Sequence, residues 1–179
     1  KFGNVVANTT TLNFSYGSGR VAKGVGFILN NEMDDFSAKP GSPNGYGLLG
    51  GDANAIEAGK RPLSSMTPTI VVRDGTPVLA TGSPGGSTII TIVTQMVMNV
   101  IDHGMNVAEA TSNPRIHHQW RPDRLFHEPG LSPDTIKLLE AKGYKLFNRG
   151  AMGSTQSVMY KDGYYFGASD PRRPAAASV

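Results

Sequence analysis

The stretch that decides the fold is GSPGGSTIITIVTQMVMNVI, residues 82–101. A loop with a Pro-Gly-Gly run leads directly into a segment of helical periodicity. Its apolar residues cover well over half of a helix circumference, namely Ile89, Ile90, Ile92, Val93, Met96, Val97, Val100 and Ile101. We therefore expect a helix that is covered on more than one side. Ser87 is the predicted N-cap, and Gly104 is predicted to follow the last turn.

Short strands flank this helix in the sequence. Pro68–Arg73 and Pro77–Thr81 are predicted strands, and Asp74-Gly75 between them favours a hairpin. Further strands are predicted at residues 5–13, 25–30, 144–148, 155–160 and 164–168, and Lys161-Asp162-Gly163 predicts a second hairpin between the last two. Further helices are predicted at 107–111 and from Pro133 to Gly143. Strands followed by helices and then by strands favour a layered α+β sandwich over a doubly wound sheet.

Composition limits the class of protein. The 179 residues predict one domain over 1–179, with 171–179 as a frayed tail. A net charge of +3 without clustering argues against nucleic-acid binding. The absence of cysteine excludes disulfides, thiolate metal sites and a cysteine nucleophile. No apolar run approaches the length that spans a bilayer.

The sequence opens on Lys1-Phe2-Gly3-Asn4, which is typical of a turn. A turn normally follows another element, so we expect a strand before residue 1. The sequence is interpreted as an internal or processed piece of a longer chain. Natural processing and an arbitrary boundary explain this start equally well.

Three acids within four positions, Glu32, Asp34 and Asp35, repel one another unless a cation compensates them. A substrate ammonium, Ca²⁺ or a Lys/Arg partner would serve, and a solvated acidic loop is the simpler alternative. The glycine- and proline-rich segment from Met33 to Gly51 is long enough to be a lid or binding loop.

Two other segments could have either a structural role or a role in binding and catalysis. Gly85 and Gly86, just before the helix, could expose N–H groups to an anion or oxyanion, or could simply form a tight turn. Ser64 and Ser65 could hydrogen-bond a carboxylate, or could be turn residues. Adjacent His117 and His118 would point to opposite faces of a strand, so no metal site is expected there.

Taken in order, these segments closely resemble the small, catalytic subunit of the γ-glutamyltranspeptidase family of N-terminal-nucleophile hydrolases. The blocks that carry the resemblance are residues 9–13 (TTTLN), 29–36 (LNNEMDDF), 46–54 (YGLLGGDAN), 60–70 (KRPLSSMTPTI), 82–87 (GSPGGS), 152–156 (MGSTQ) and 167–172 (GASDPR). The resemblance implies a four-layer αββα sandwich, shared between two subunits that are cut from one precursor.

The resemblance also implies a reaction. An N-terminal threonine, activated by its own α-amino group, attacks the γ-carbonyl of glutathione or another γ-glutamyl amide. The γ-glutamyl ester then passes to water or to the amine of an amino acid or peptide. That threonine precedes the Lys-x-Gly-Asn turn in the family, so it is expected upstream of Lys1. Thr9, Thr10 and Thr11 cannot replace it, because none has a free α-amino group.

Site roles follow by position in the same resemblance. Thr11 corresponds to the threonine that hydrogen-bonds the nucleophile, and Tyr46 to the lid tyrosine. The other implied roles are α-ammonium binding by Asn13, Glu32 and Asp35, α-carboxylate binding by Ser64 and Ser65, and the oxyanion hole at Gly85 and Gly86. An arginine from the large subunit would assist the serines.

The resemblance implies a heterodimer with the large subunit, no cofactor, no metal, no nucleic acid, and a periplasmic or extracellular location. Two other functions stay open. A glutaryl acylase of the same superfamily would leave Glu32 and Asp35 without a cationic partner. A non-catalytic subunit would keep the amino-acid pocket without turnover.

Overall fold

The computed structural model describes residues 3–173. The chain divides into two compact units, one formed by Thr10–Ser65 and the other by the segment up to Thr9 together with the chain from Met66 onward. The single domain over 1–179 stays a prediction. Of the tail predicted at 171–179, residues 174–179 lie outside the described residues.

The larger unit contains all the regular helices and strands of the described residues. The strands are β1 Thr69–Arg73, β2 Thr76–Gly82, β3 Ile116–His117, β4 Leu125–His127, β5 Leu146–Asn148, β6 Gln156–Lys161 and β7 Tyr164–Ala168, and the helices are α1 Ile89–Ile101, α2 Val107–Ser112 and α3 Pro133–Ala141. An antiparallel sheet has the order β1-β2-β6-β7, and a smaller mixed sheet has the order β3-β4-β5. The β-hairpins and the three helices are therefore confirmed as predicted elements.

Both hairpins of the four-stranded sheet turn in the same way. Asp74 and Gly75 have φ angles of 49° and 78°, and Asp162 and Gly163 have φ angles of 51° and 83°. Positive φ at both central residues is the type I′ turn, whose twist matches that of paired strands. The Asp-Gly pairs therefore fix the register of β1 with β2 and of β6 with β7.

The core lies between the four-stranded sheet and the helices. Its buried cluster is Leu79, Met96, Val107, Ala110 and Met159. Helix α1 buries Ile92, Val93 and Met96, but Ile90 on the same helix is half exposed. Helix α1 contacts α2 and β3 in addition to β2, so the expectation that it is covered on more than one side is met, and only the strip at Ile90 is exposed.

The opposite face of the same sheet is apolar and exposed. Successive side chains of a strand point to opposite faces of the sheet, so the residues next to core residues along each strand point away from the helices. Ile70 and Val158, which both neighbour Ala80 in the ladder, are exposed, and so is Tyr165 on β7. We call Ile70, Val158 and Tyr165 the open sheet face.

The smaller unit has little regular structure. It contains two 3₁₀ turns, Glu32–Asp35 and Asp52–Asn54, and isolated bridges such as Val21 with Ile28. The strands predicted at 5–13 and 25–30 were wrong, because neither segment has a strand to pair with among residues 3–173. No helix among these residues is long and apolar enough to cross a bilayer.

Candidate active site

The 3₁₀ turn Glu32–Asp35, the acidic turn, concentrates negative charge in the smaller unit. The side chains of Glu32 and Asp35 lie close enough to influence each other's ionisation. Burial raises the pKa of Glu32, and the hydrogen bond and charge of Asp35 raise it further. Burial and the charge of Asp34 outweigh the Glu32 hydrogen bond and raise the pKa of Asp35.

The pair has unused capacity to bind a cation. Oε1 of Glu32 is buried and accepts no hydrogen bond from the described residues. No ion pair within residues 3–173 involves Glu32 or Asp35. A cation placed between the two carboxyls would favour their ionised forms and would give both of them an opposite charge.

Asp34 is occupied in a different way. Its Oδ1 and Oδ2 atoms accept the backbone N–H of Gly45 at 3.0 and 3.3 Å. A Cβ at Gly45 would lie 2.5 Å from the ring of Phe14 and 2.9 Å from Asp34 Oδ2, so only glycine allows this approach. Asp34 therefore holds the segment 39–50, the lid loop, against the acidic turn.

Tyr46 connects the lid loop to the first predicted site segment. Its hydroxyl donates to the carbonyl oxygen of Asn13 at 2.7 Å, and its ring meets Phe14 edge-on at 5.3 Å. Burial and the charges of the acidic turn raise the pKa of the phenol, so it stays a hydrogen-bond donor at neutral pH. Asn13 is held with a φ of 71° by its own N–H, which donates to Thr11 Oγ1 at 2.8 Å.

Ser64 and Ser65 lie in the same unit, on a segment tied to the acidic turn by Asn54. The amide of Asn54 donates to the Asp35 carbonyl at 2.7 Å, and its Oδ1 accepts the Leu63 N–H at 3.0 Å. No role was predicted for Asn54, although it ends the segment 46–54 that resembles the family. The structure thus brings Thr11, Asn13 and Tyr46 into one hydrogen-bonded set, and it connects the serine segment to the backbone of Asp35.

The glycine loop, residues 82–88, belongs to the larger unit. Gly85 and Gly86 have φ angles of 150° and 56°, and a Cβ at Gly85 would lie 2.5 Å from Thr88 Oγ1. A 3₁₀ turn, Gly86–Thr88, then leads into α1. The first N–H groups of a helix have no acceptor within the helix, so this geometry suits an anion or a developing oxyanion.

Ser87 is not the N-cap that sequence analysis predicted. Thr88 occupies that position, and its hydroxyl donates to the Gly85 carbonyl at 2.8 Å. The Ser87 hydroxyl donates instead to Oε1 of Gln119 at 2.9 Å. The prediction failed because a short 3₁₀ turn precedes the α-helix and rotates Ser87 toward a different segment.

A second segment, to which sequence analysis gave no role, supports the loop. The N–H of Ser154 donates to Ser83 Oγ at 3.0 Å, and this hydroxyl donates to the Pro84 carbonyl at 2.8 Å. A Cβ at Gly153 would lie 2.6 Å from Ser83 Oγ and 2.8 Å from the Pro84 carbonyl oxygen. Gly153 therefore sets the distance between the loop and the start of β6.

No three His, Asp or Glu side chains within residues 3–173 cluster in a way that could hold a metal ion. His117 is buried, whereas His118 faces Asp123 at 3.3 Å. The two imidazoles therefore have separate environments.

A family model of gamma-glutamyltranspeptidase matches residues 1–179. The chain belongs to the gamma-glutamyltranspeptidase family. It is 66% identical over 173 residues to the glutathione hydrolase proenzyme of Escherichia coli, an alignment that covers 96% of this chain and 30% of that protein. It spans about 30% of the length of the curated relatives it matches.

Solved gamma-glutamyltranspeptidase structures share the fold. A Helicobacter pylori gamma-glutamyltranspeptidase mutant matches with 52% identity and a TM-score of 0.92, covering 96% of this chain and 95% of that one. The enzyme of Pseudomonas nitroreducens, solved with L-DON, matches with 46% identity and a TM-score of 0.92, covering 99% and 94%. The resemblance to gamma-glutamyltranspeptidase and the α+β fold of its N-terminal-nucleophile type are thus confirmed. The roles of individual site residues stay predictions.

Proposed function

We propose that this chain forms the small-subunit part of a γ-glutamyl transferase/hydrolase that cleaves glutathione and other γ-glutamyl amides. The observation that carries the proposal is the Glu32–Asp35 pair. Two carboxyls with raised pKa values face each other, and one buried oxygen lacks a partner, in a chain of the gamma-glutamyltranspeptidase family. Such a pair is matched by the α-ammonium group of a γ-glutamyl substrate.

The opposite end of the substrate's amino-acid head is assigned to Ser64 and Ser65. Hydroxyl groups suit a carboxylate, and Asn54 holds this segment at the backbone of Asp35. An arginine of the large subunit would add the charge that two hydroxyls lack. Asn13 completes the ammonium site with its Oδ1 atom, while its Nδ2 donates to the Asn31 carbonyl at 3.2 Å.

The chemical step requires an anion site, which is assigned to Gly85 and Gly86. A threonine hydroxyl attacks the γ-carbonyl carbon, and the α-amine of the same threonine takes the hydroxyl proton. The carbonyl oxygen gains negative charge, which the loop N–H groups stabilise. The tetrahedral intermediate collapses, the leaving amine takes the proton, and a γ-glutamyl ester remains for water or an acceptor amine.

The nucleophile is placed in polypeptide outside the printed sequence, because Thr9, Thr10 and Thr11 are all internal and lack an α-amino group. Thr11 is assigned the supporting role, in which its hydroxyl hydrogen-bonds the nucleophile. The Asn13 N–H already fixes Thr11 Oγ1 at 2.8 Å, which leaves the Thr11 proton available for donation.

A large subunit from the same precursor is the proposed partner. The relatives are named proenzymes, and this chain matches about 30% of their length. The open sheet face supports this partner, because exposed apolar side chains on one side of a sheet gain by packing against a second layer. We place the heterodimer in the periplasm or outside the cell, on the resemblance to secreted members of the family.

The test is a turnover assay on the full-length precursor, expressed and allowed to mature. A γ-glutamyl anilide is supplied with and without an acceptor dipeptide, and the acyl-enzyme is sought by intact mass spectrometry after an acid quench. We expect a γ-glutamyl adduct on the small subunit, and product partition that shifts from glutamate to γ-glutamyl dipeptide as the acceptor increases. Binding of glutamate without adduct or turnover would reject the enzyme and favour a binding subunit.

A further inference from the structure

A line of hydrogen bonds runs behind the glycine loop, from His117 through Gln119 to Ser87. The Nε2 atom of His117 lies 2.9 Å from Oε1 of Gln119, and the Ser87 hydroxyl donates to the same oxygen at 2.9 Å. Ser87 directly follows the glycine pair assigned to the oxyanion. His117 and Ser87 are both buried, so the loop is anchored inside the protein and not at its surface.

The geometry fixes which nitrogen of His117 carries hydrogen. An amide oxygen only accepts hydrogen bonds, so Nε2 of His117 must donate to Gln119 Oε1. Nδ1 lies 2.8 Å from the Thr91 hydroxyl, whose single proton is shared between Nδ1 and the Thr88 carbonyl. Gln119 keeps its orientation because its own amide nitrogen donates to the Arg121 carbonyl at 3.0 Å.

The surroundings keep this imidazole neutral. Burial lowers the pKa of His117, and the charges of Arg149 and His118 lower it further, against the hydrogen bond to Gln119. The rings of His117 and Phe126 are stacked with their centroids 6.3 Å apart. The guanidinium of Arg149 lies over the Phe126 ring, 5.3 Å from its centroid. A neutral ring with hydrogen on Nε2 can serve both of its partners at once.

We infer that His117 is a positioning residue for the oxyanion site, acting through Gln119 and Ser87 on the Gly85-Gly86 backbone. This inference rests on the proposed function. His117 contacts neither the substrate nor the reacting atoms in this assignment. Thr91, in the first turn of α1, contacts the same ring, and its hydroxyl also donates to the Thr88 carbonyl at 3.0 Å.

The consequence for catalysis is specific. Loop N–H groups that stabilise an oxyanion must be held in place before the charge develops. Loosening their anchor lowers the rate of acyl transfer and leaves ground-state binding of the amino-acid head unchanged, because Glu32, Asp35 and the serine pair lie on other segments. A purely structural role would instead reduce stability and affect all kinetic constants together.

The experiment compares His117→Gln with His117→Asn in the mature full-length enzyme. Glutamine can place an N–H donor near the position of Nε2, whereas asparagine reaches only the position of Nδ1. We expect His117→Asn to lower kcat by about 10- to 100-fold with KM within about twofold of wild type. Displacing the N–H groups that stabilise an oxyanion costs a factor of this order in rate. His117→Gln should recover most of kcat, and the exposed His103→Gln is the control for loss of an imidazole.

A second readout is the affinity for a γ-boronate analogue of the γ-glutamyl group, which becomes tetrahedral on the enzyme. His117→Asn should weaken this analogue by the same factor as kcat and leave the affinity for glutamate unchanged. If His117→Asn fails to fold or mature, Ser87→Ala removes the loop end of the same line of hydrogen bonds and should give the same pattern.

Equal losses in the glutamine and asparagine variants, or a wild-type kcat in both, would overturn the inference and leave the proposed function standing. A wild-type enzyme that does not turn over γ-glutamyl amides would overturn the proposed function and this inference together.

Discussion

The hydroxyl of Tyr46 donates a 2.7 Å hydrogen bond to the backbone carbonyl of Asn13. This bond closes the lid loop onto the segment that contains Thr11 and Asn13. It joins residues that are 33 positions apart, and the edge-on contact between Tyr46 and Phe14 supports it. Two hydrogen bonds therefore hold the lid loop in place: one from the Tyr46 hydroxyl to the Asn13 carbonyl, and one from the Gly45 N–H to the Asp34 carboxylate.

Replacing Tyr46 with phenylalanine removes the hydrogen bond to Asn13 and keeps the ring contact. A hydrogen bond of this kind contributes about 1 kcal/mol, so we expect KM for γ-glutamyl donors to rise about fivefold. Limited proteolysis within 39–50 should become faster. Tyr16→Phe is the control, because Tyr16 is largely exposed. Equal proteolysis of both variants would show that Tyr46 does not hold the lid loop.

Ammonium binding should depend on pH through the acidic turn. The raised pKa values of Glu32 and Asp35 mean that protons are held at a pH where ordinary carboxyls have lost them. The ammonium group of the substrate binds the ionised pair, so KM should increase as pH falls through the pKa values of Glu32 and Asp35. The increase should be up to about tenfold per pH unit for each carboxyl that becomes protonated.

Glu32→Gln should make this dependence shallower, since one of the two protons no longer has to leave. Glu57→Gln, at a largely exposed carboxyl that pairs with Lys60, should reproduce the wild-type profile. Steady-state kinetics between about pH 4.5 and 8 measure the slope. A slope that is the same in Glu32→Gln as in wild type would contradict the role given to the pair.

Gly153 and Gly104 offer a matched test of the support for the glycine loop. Their φ angles are 68° and 67°, so alanine meets similar backbone strain at both sites. Only at Gly153 would the new Cβ collide with neighbours, namely Ile92, Ser83 and the Pro84 carbonyl. We expect both alanine variants to lose about 1 kcal/mol of stability from strain, and Gly153→Ala alone to lose about 100-fold in kcat. Equal kcat values in the two folded variants would refute the support role.

A buried ion network connects residues 170–172 to Arg115 and Glu128 within the larger unit. Arg115 pairs with Asp170 at 2.7 Å, and Arg172 pairs with Glu128 and, at 3.2 Å, with Asp170. Burial alone would raise the pKa of Asp170 and of Glu128, but their hydrogen bonds outweigh it and hold both values below the ordinary range. Their contribution to stability is complete above the unfolded-state pKa and is lost as pH falls through the folded-state pKa.

Asp170→Asn should cost about 3–5 kcal/mol of unfolding free energy, because it leaves a buried guanidinium without its charge partner. The acid limb of the melting temperature against pH should also flatten, as one depressed carboxyl is lost. Asp123→Asn, at an exposed ion pair with Lys145, should leave the melting temperature unchanged. Thermal unfolding of the mature enzyme measures both, and equal melting temperatures would show that the network is not stabilising.

The larger unit was predictable because its signals are local. Asp-Gly pairs mark both hairpins, and the apolar periodicity of residues 89–101 marks α1. The strands predicted at 5–13 and 25–30 were wrong, because a strand forms only where another strand pairs with it, and the local sequence does not reveal that partner. Ser87 was misassigned as an N-cap for a related reason: its hydroxyl donates to Gln119, which lies 32 residues away in the sequence.

The candidate site shows the same division. Glu32 and Asp35 were recognisable in the sequence as clustered acids, and Gly85 and Gly86 as a glycine pair before a helix. The residues that hold them were not. Asn54, Gly153 and Gln119 act through hydrogen bonds or close approach to distant segments, and an asparagine, a glycine or a glutamine alone gives no sign of this.

The most direct test of the central claim is the substrate preference of Asp35→Asn. The ratio of kcat/KM for a γ-glutamyl anilide to that for the corresponding glutaryl anilide, which lacks only the α-ammonium group, is measured in wild type and variant. The account predicts a wild-type preference for the γ-glutamyl substrate that falls by about 10- to 100-fold in the variant, through loss of the γ-glutamyl rate with little change in the glutaryl rate. An unchanged ratio, or an equal loss for both substrates, would contradict it.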